Sequence, residues 1–220
     1  MKTKQTIAVI GATGNMGSAI SRNLAKGNYR LLLFSTKPEE AEQVAIDIKS
    51  TNPGADVESI QCAREAGWEA DVIILAVPYQ AEEDLAAKIK EVANQKIVIS
   101  ISNPINATYN GLVTAPGTSA AEELQKLLPY AKVIKAFNST FAGDFSNPVI
   151  DGKQVDAFVA GNDPEALEVV SEMVSVAGFN PIIAGDLSVS RTLENMQLLL
   201  IQLSMRNDYK WVAGWKILHN

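Results

Sequence analysis

The 220-residue chain holds a single cysteine, Cys62, and a single histidine, His219, and these two scarcities remove whole classes of chemistry. One thiol excludes an internal disulfide and any cysteine-rich zinc or iron–sulfur centre. A chain without disulfides fits a reducing cytoplasm. One histidine, next to the final Asn220, leaves no Ser-His-Asp or Cys-His nucleophilic engine and no multi-histidine metal site. No tyrosine has a lysine four positions later, so the usual proton-donating pair of short-chain dehydrogenases is missing as well. Long apolar runs are also lacking: none reaches the roughly 18 residues of a membrane span, and the greasiest late segment, Leu198–Leu203, contains Gln202. Residues 1–10 begin with lysines and turn apolar, but Gly11, Gly14 and Asn15 cut the run too short for a signal-peptide core, so it reads as a first strand. Basic excess is absent too. With 19 Lys+Arg against 25 Asp+Glu, the net charge of -6 disfavours nonspecific attraction to nucleic acid or an anionic membrane. The expectation is a soluble cytoplasmic protein with neither nucleic acid nor membrane as partner.

What is present is an alternation. Short apolar runs recur at Thr6–Ile10, Leu31–Phe34, Val72–Val77, Ile97–Ile101, Val133–Phe137 and Ala157–Ala160. Stretches of helical periodicity lie at Met16–Lys26, Glu39–Lys49, Ala81–Ala93, Ala120–Leu128, Glu165–Val176 and Ser190–Met205. Strands alternating with helices of this length predict an α/β, Rossmann-like doubly wound, mostly parallel sheet with a C-terminal helical extension. No linker marks a boundary, so residues 1–220 read as one domain, with 1–104 the nucleotide-binding half and 105–220 the sheet continuation and last helix. Local end signals fit: Thr36 with Glu39 is a capping-box pattern, and Asp163 followed by Pro164 supplies an N-cap and a first-turn proline. Ser188 or Ser190 could cap the last helix and Arg191 could pair with Glu194 one turn on, or these residues could bind a phosphate. The broad apolar face of that helix should pack on the sheet or on a second copy, which makes a homodimer plausible.

The chemistry-bearing motif follows the first strand: Gly11, Ala12, Thr13, Gly14, Asn15, Met16, Gly17. Aligned on its last two glycines it is A-x-G-x-x-G, the spacing of the dinucleotide fingerprint, with Gly11 as an extra glycine in front. Gly14 lets the backbone approach a pyrophosphate, Gly17 lets the first helix pack close, and that helix's N-terminal amides face the anion. Ala12 stands where the first glycine is usual, so Gly11 is expected to take the tight turn.

The second strand chooses between cofactors. An NAD site ordinarily ends this strand in an acid that binds the ribose hydroxyls. Here the corner is Ser35, Thr36, Lys37: no carboxylate repels a 2′-phosphate, and two hydroxyls with an ammonium can bind one, so NADP is favoured. Thr36 could equally be the helix cap and Lys37 a solvated charge. Asn103, Asn138, Ser139 and Thr140 fall just past expected strands, where loop polar groups can hydrogen-bond a carboxamide or a flavin edge.

With the GATGNMG turn, the Ser-Thr-Lys corner, the strand ending Ala76, Val77, Pro78, and the late AGDLSVSRTLENMQLLLIQL segment from Ala184, the chain resembles the coenzyme F420-dependent NADP reductase family over nearly its whole length. The stretches KAFNSTFAG (135–143) and Gly161–Asp163 are also similar to the cytoplasmic reductase domain of six-transmembrane metalloreductases, which use NADPH and a flavin. The resemblance implies that Thr13, Gly14, Asn15 and Met16 contact the diphosphate and that Ser35, Thr36 and Lys37 contact the 2′-phosphate. It implies that Val77, Pro78 and Ala142 line the nicotinamide side, with F420 or FMN/FAD as a second ring cofactor. Asn138 departs from the histidine of archaeal-type members, and Thr36 from a common arginine. Hydride transfer between two bound rings asks little of side chains, because the rings carry the chemistry and the protein sets their distance and orientation. No catalytic side chain is therefore assigned. An NADP-binding redox sensor or scaffold without turnover is the competing expectation, and a dehydrogenase acting on a small carbonyl or imine would need a proton donor that the sequence does not offer.

Overall fold

The computed structural model describes residues 4–219; Met1–Thr3, the start of the first lysine-led run, and Asn220 lie outside the described residues. Strands and helices alternate through the first two thirds: β1 (Gln5–Ile10), α1 (Asn15–Leu24), β2 (Tyr29–Phe34), α2 (Pro38–Thr51), β3 (Asp56–Ile60), α3 (Ala63–Glu69), β4 (Val72–Leu75), α4 (Glu82–Ile89), β5 (Ile97–Ser100), α5 (Ala120–Leu127) and β6 (Lys132–Lys135). A small hairpin, β7 (Val149–Ile150) and β8 (Lys153–Gln154), precedes β9 (Asp156–Gly161), α6 (Pro164–Val176), β10 (Asn180–Gly185) and the long α7 (Ser190–Asn207).

The main sheet has eight strands in the order β10-β9-β6-β5-β4-β1-β2-β3. From β3 to β6 all neighbours are parallel; β9 runs antiparallel to β6, and β10 parallel to β9. The fold class expected from the alternation is observed. Because the chain winds outward from β1 through β2 to β3 and then resumes at β4 on the other side of β1, the switch point lies between β1 and β4. Loops diverge there at the strands' carboxyl ends and leave a crevice.

Both sheet faces are covered, which is why the central strands are apolar without alternation. One layer packs Ile20 and Leu24 of α1, Ile48 of α2, and Val170 and Met173 of α6 against Ile7, Val9, Leu31 and Ile99. The opposite layer packs Ala66 of α3, Ile89 of α4 and Leu124 of α5 against Ala8, Ile10, Ile73 and Val98. Each fully buried branched or aromatic side chain of this kind contributes about 1.5–3 kcal/mol.

Besides the two-residue strands β7 and β8, three elements carry too little periodic signal to be expected from the sequence. In β3, an edge strand, Val57 is the one fully buried side chain; α3 is seven residues long; β10 is the other edge and carries Pro181. The helix expected over Ala81–Ala93 is shorter, Glu82–Ile89, and a 3-10 turn at Tyr79–Ala81 leads into it.

The capping expectations divide. Asp163 does cap α6, accepting from the Ala166 amide at 2.9 Å with Pro164 in the first turn. Thr36 does not cap α2: Lys37 stands at that position with no side-chain cap, and Pro38 begins the helix. Neither Ser188 nor Ser190 caps α7, whose N-cap is Val189, and Ser188 instead donates to Asp186. Arg191 pairs with Glu122 at 2.6 Å rather than with Glu194, because Glu194 is drawn inward to Lys135 at 2.7 Å. The inner stripe of α7 is accordingly mixed, with Ser190, Glu194, Gln197 and Ser204 buried among Leu193, Leu198 and Leu200.

Candidate cofactor site

The first turn is built by steric exclusion. Gly11 has φ +93°, and a Cβ there would lie 2.2 Å from the Ala76 carbonyl oxygen, so glycine is required twice over, by conformation and by space. Its amide and that of Ala12 donate to Phe34 O at 2.9 and 3.0 Å, which pins the turn to the end of β2. Ala12 is fully buried against the core, and the tight turn falls on Gly11. Gly17 sits one helical turn on, where a Cβ would come within 2.1 Å of Gly11 O. Gly14 differs: its φ is -69°, and a Cβ would meet Gly11 O at an ordinary 3.4 Å, so the fold itself does not demand glycine there. Gly14 is the N-cap of α1 and offers no side-chain cap, and no acidic residue occupies the helix's first turn. Asn15, Met16 and Gly17 therefore lead a helix whose first amides are uncapped, and such amides favour an anion.

The corner after β2 is tied to that turn. Thr13 Oγ1 and Ser35 Oγ are 2.9 Å apart, and Ser35 Oγ also accepts from the Lys37 amide at 3.1 Å. Lys37 Nζ reaches Glu40 at 2.7 Å as an exposed pair. Thr36, relieved of capping, is exposed. A cavity of about 420 Å³ lies between these elements, lined by Gly11, Thr13, Gly14, Ser35, Thr36, Ala76, Val77 and Pro78. Its remaining wall comes from residues that the sequence did not single out. Ile10 and Phe34 end the two strands, Ala63 opens α3, Ala81 precedes α4, and Asp84, Leu85 and Lys88 lie on α4. Only their place after β3 and β4 could have signalled Ala63, Ala81, Asp84, Leu85 and Lys88, which otherwise read as parts of ordinary amphipathic helices.

Asn103, Asn138 and Ala142 are placed apart from this cavity. Asn103 Nδ2 donates to Asn138 O at 2.9 Å, and Asn138 Nδ2 donates to Asn103 Oδ1 at 3.0 Å, which clasps the loops after β5 and β6 together. Asn138 is buried, and its Oδ1 has no partner, so one acceptor in this clasp stays free for a donor. Such an orphan costs about 1–3 kcal/mol unless something bonds it. Ser139 and Thr140 are spent internally, on the Phe158 amide and on Phe137 O. Phe137 itself is fully buried at φ +59°, a left-handed conformation that costs a non-glycine residue about 1–3 kcal/mol and gathers at functional loops. Ala142 starts a 3-10 turn, Ala142–Ser146, and lines a separate polar concavity with Asn15, Ser18 and Arg22 of α1. Behind that turn runs the C-terminal segment: Trp211 meets Phe141 edge-on at 5.6 Å, and a Cβ on Gly143 would lie 2.8 Å from Trp211 O. Asp156 holds the same segment through Lys216 Nζ at 2.7 Å and the Ile217 amide at 2.6 Å.

The electrostatics of the cavity suit a phosphorylated dinucleotide. Uncapped amides of α1 stand at one end and the corner contributes the Ser35 and Thr36 hydroxyls; Lys37, paired with Glu40, does not line the cavity, and on the α4 wall the cation Lys88 stands with Asp84. With the switch-point crevice and the close-packed glycines, these features define a domain of the doubly wound, dinucleotide-binding class.

Known proteins agree with that class. Residues 6–104 match the family model described as "NADP oxidoreductase coenzyme F420-dependent". The chain is 34% identical over 217 residues to the F420-dependent NADP reductase of Methanocaldococcus jannaschii, covering 93% of this chain and 94% of that protein. It thus belongs to the F420-dependent NADP reductase family. Metalloreductase STEAP3 of Rattus norvegicus is 24% identical over 200 residues, and the match takes in 91% of this chain but 38% of that longer protein. A solved structure from Arthrobacter sp. FB24 superposes with TM-score 0.81 at 22% identity, over 98% of this chain and all of that one, and shows the same fold.

Proposed function

We propose that the chain passes hydride between NADP(H) and a deazaflavin, coenzyme F420, or a flavin such as FMN or FAD. The observation that carries this is the joining of the Gly11–Gly17 turn to the acid-free corner through the Thr13–Ser35 contact, with both lining one cavity. The first amides of α1 and the small Gly14 would receive the diphosphate, and Ser35, Thr36 and Lys37 the 2′-phosphate. Ala76, Val77 and Pro78 form the apolar wall, and the Asn103–Asn138 clasp, with Asn138 buried, would serve by fixing the loops after β5 and β6 at the nicotinamide end. Ala142, though it lines its own concavity, belongs to the loop that follows that clasp. The nicotinamide, when bound, supplies the hydride chemistry. The chain's own work is to hold the ring, exclude water and orient the partner ring.

The relatives' names support F420 as the acceptor, and the reading extends to a cytoplasmic protein that pairs with small molecules. A binding-only sensor is the second reading, favoured by a cavity whose ionisable lining is limited to Asp84 and Lys88. NADPH absorbance followed with F420, FMN, FAD and ferric chelates in parallel decides among these. Oxidation with F420 is the expected result. Turnover with FMN or FAD alone would displace F420, binding without turnover would favour the sensor, and failure to bind NADPH would overturn the proposal.

A further inference from the structure

The carboxyl ends of β5 and β6 hold a buried charge cluster that cofactor binding does not use. Lys135, the last residue of β6, donates through Nζ to Glu194 of α7 at 2.7 Å, to Ser100 Oγ at 3.5 Å and to the Ser102 carbonyl. Ser100, at the end of β5, donates on to Glu82 Oε1 at 3.4 Å, and Glu194 Oε2 accepts the Ala120 amide at 3.2 Å. None of Lys135, Ser100, Glu82 and Glu194 is more than 3% exposed. One ammonium here faces two carboxylates, so the cluster is neutral when one carboxyl is protonated and carries one negative charge when both are ionised. It adjoins the proposed site at both ends. Ala81, next to Glu82, lines the main cavity, and Ser102, bonded to Lys135, precedes Asn103 of the clasp.

We propose that Glu82 is a positioning residue whose ionisation sets the charge behind the nicotinamide end, so that the chain holds the oxidised nucleotide more tightly, relative to the reduced one, when Glu82 is ionised. The inference rests on the nicotinamide reading above. In the reaction NADPH gives up a hydride, two electrons and a proton, to the acceptor ring, which takes a further proton from water; the nicotinamide ring goes from neutral to a charge of +1. A negative cluster favours that cation, and a neutral one does not. Burial pushes the Glu82 carboxyl up to about 7, with Lys135 opposing and Glu194 adding to the rise. The change of charge therefore falls in the working pH range.

The groups facing Glu82 are few. Lys135 comes from β6, Glu194 from α7, and Tyr79 from the preceding turn, its hydroxyl donating to Glu123 of α5 and its own pKa pushed up to about 12. From α3, Arg64 bonds Glu91, beyond the far end of α4. Protons reach Glu82 through a cleft of about 350 Å³ that it lines with Tyr79, Glu83, Glu123 and Lys126.

The test is the ratio of dissociation constants, Kd(NADPH)/Kd(NADP+), measured by calorimetry between pH 6 and 8.5. The 2′-phosphate titrates in both forms and cancels in the ratio. For the wild-type protein the ratio should rise with pH by about tenfold, the order expected of one added unit charge acting through protein at an effective dielectric near 20. Glu82→Gln should hold the ratio flat at the wild-type low-pH value, and Glu82→Asp should restore a slope. A flat wild-type ratio, which needs no variant to fold, overturns the inference while leaving the cofactor reading intact, and so does a slope that persists in Glu82→Gln. Absence of binding by both nucleotides overturns the cofactor reading and the inference with it.

Discussion

Gly17→Ala is the sharpest probe of the turn, because the added methyl meets backbone and nothing that can swing aside. Its Cβ would lie 2.1 Å from Gly11 O, 2.9 Å from Gly11 C and 3.0 Å from Ala12 Cα. Relief requires α1 to back away from the turn by about 1 Å, since ordinary contact begins near 3.4 Å. Overpacking of this kind costs about 1–3 kcal/mol, and the helix propensity of alanine returns up to about 1 kcal/mol. A net loss of about 1–2 kcal/mol lowers the melting temperature of a chain this size by about 2–8 °C. The same retreat carries the uncapped amides away from any diphosphate, and a misplacement of about 1 Å is worth on the order of a hundredfold in a positioned interaction. Gly14→Ala is the control. Its methyl fits the apo turn at 3.4 Å with an unstrained φ, so stability should hold while the methyl fills the space a phosphate needs. Thermal unfolding and NADPH fluorescence titration should show Gly17→Ala losing on both counts and Gly14→Ala losing only affinity. An unchanged melting temperature in Gly17→Ala would refute the packing argument, and wild-type NADPH affinity in Gly14→Ala would refute the phosphate argument.

Thr36→Asp puts a carboxylate into the acid-free corner at an exposed position, and parallel titrations should show NADPH affinity falling at least about tenfold while NADH affinity rises. Lys135→Met strands Glu194 in the interior, where both partners are fully buried, and should cost about 3–5 kcal/mol by denaturant unfolding; the double change Lys135→Met with Glu194→Leu should recover most of it. Asp144 is buried, and burial pushes its carboxyl from 3.8 up to about 6 despite the Phe141 amide that donates to it. Because the folded value lies above the unfolded one, its stabilising share is complete below about pH 4 and lost as pH rises through about 6. Asp144→Asn keeps an acceptor for Phe141 and should be the more stable protein at pH 8 by about 1–3 kcal/mol, with the advantage gone by pH 4. Taking the difference from wild type at each pH removes the contribution of Glu82.

The sequence made legible what depends on short-range steric and periodic rules. The Gly11 and Gly17 requirements, the buried strands of the central sheet and the Asp163 cap follow from spacing alone, and the geometry bears them out. What escaped depends on contacts distant in sequence. Glu194 and Arg191 stand three apart on one helix, so a local pair was the natural expectation. Lys135, 59 residues away, takes Glu194 instead, and Glu122, 69 residues away, takes Arg191. The α4 wall of the cavity escaped for a related reason, since Leu85 and Lys88 line it only because α4 packs beside the switch point. β3 and β10 escaped because edge strands need bury only part of their length.

The reversal of β9 shapes the rim above the crevice. Strands β1, β4, β5 and β6 all finish at that rim, whereas β9, antiparallel to β6 with Ala160 opposite Lys135, descends from it. Its first residues, Asp156 to Phe158, therefore lie beyond the carboxyl end of β6 and level with the start of β10, where Asn180 is opposite Asp156, and Asp156 anchors Lys216 and Ile217 there. The crevice therefore has unlike flanks: on the β2 side a strand ends at the rim, and on the β6 side a strand begins there and ties the returning C-terminal segment to it.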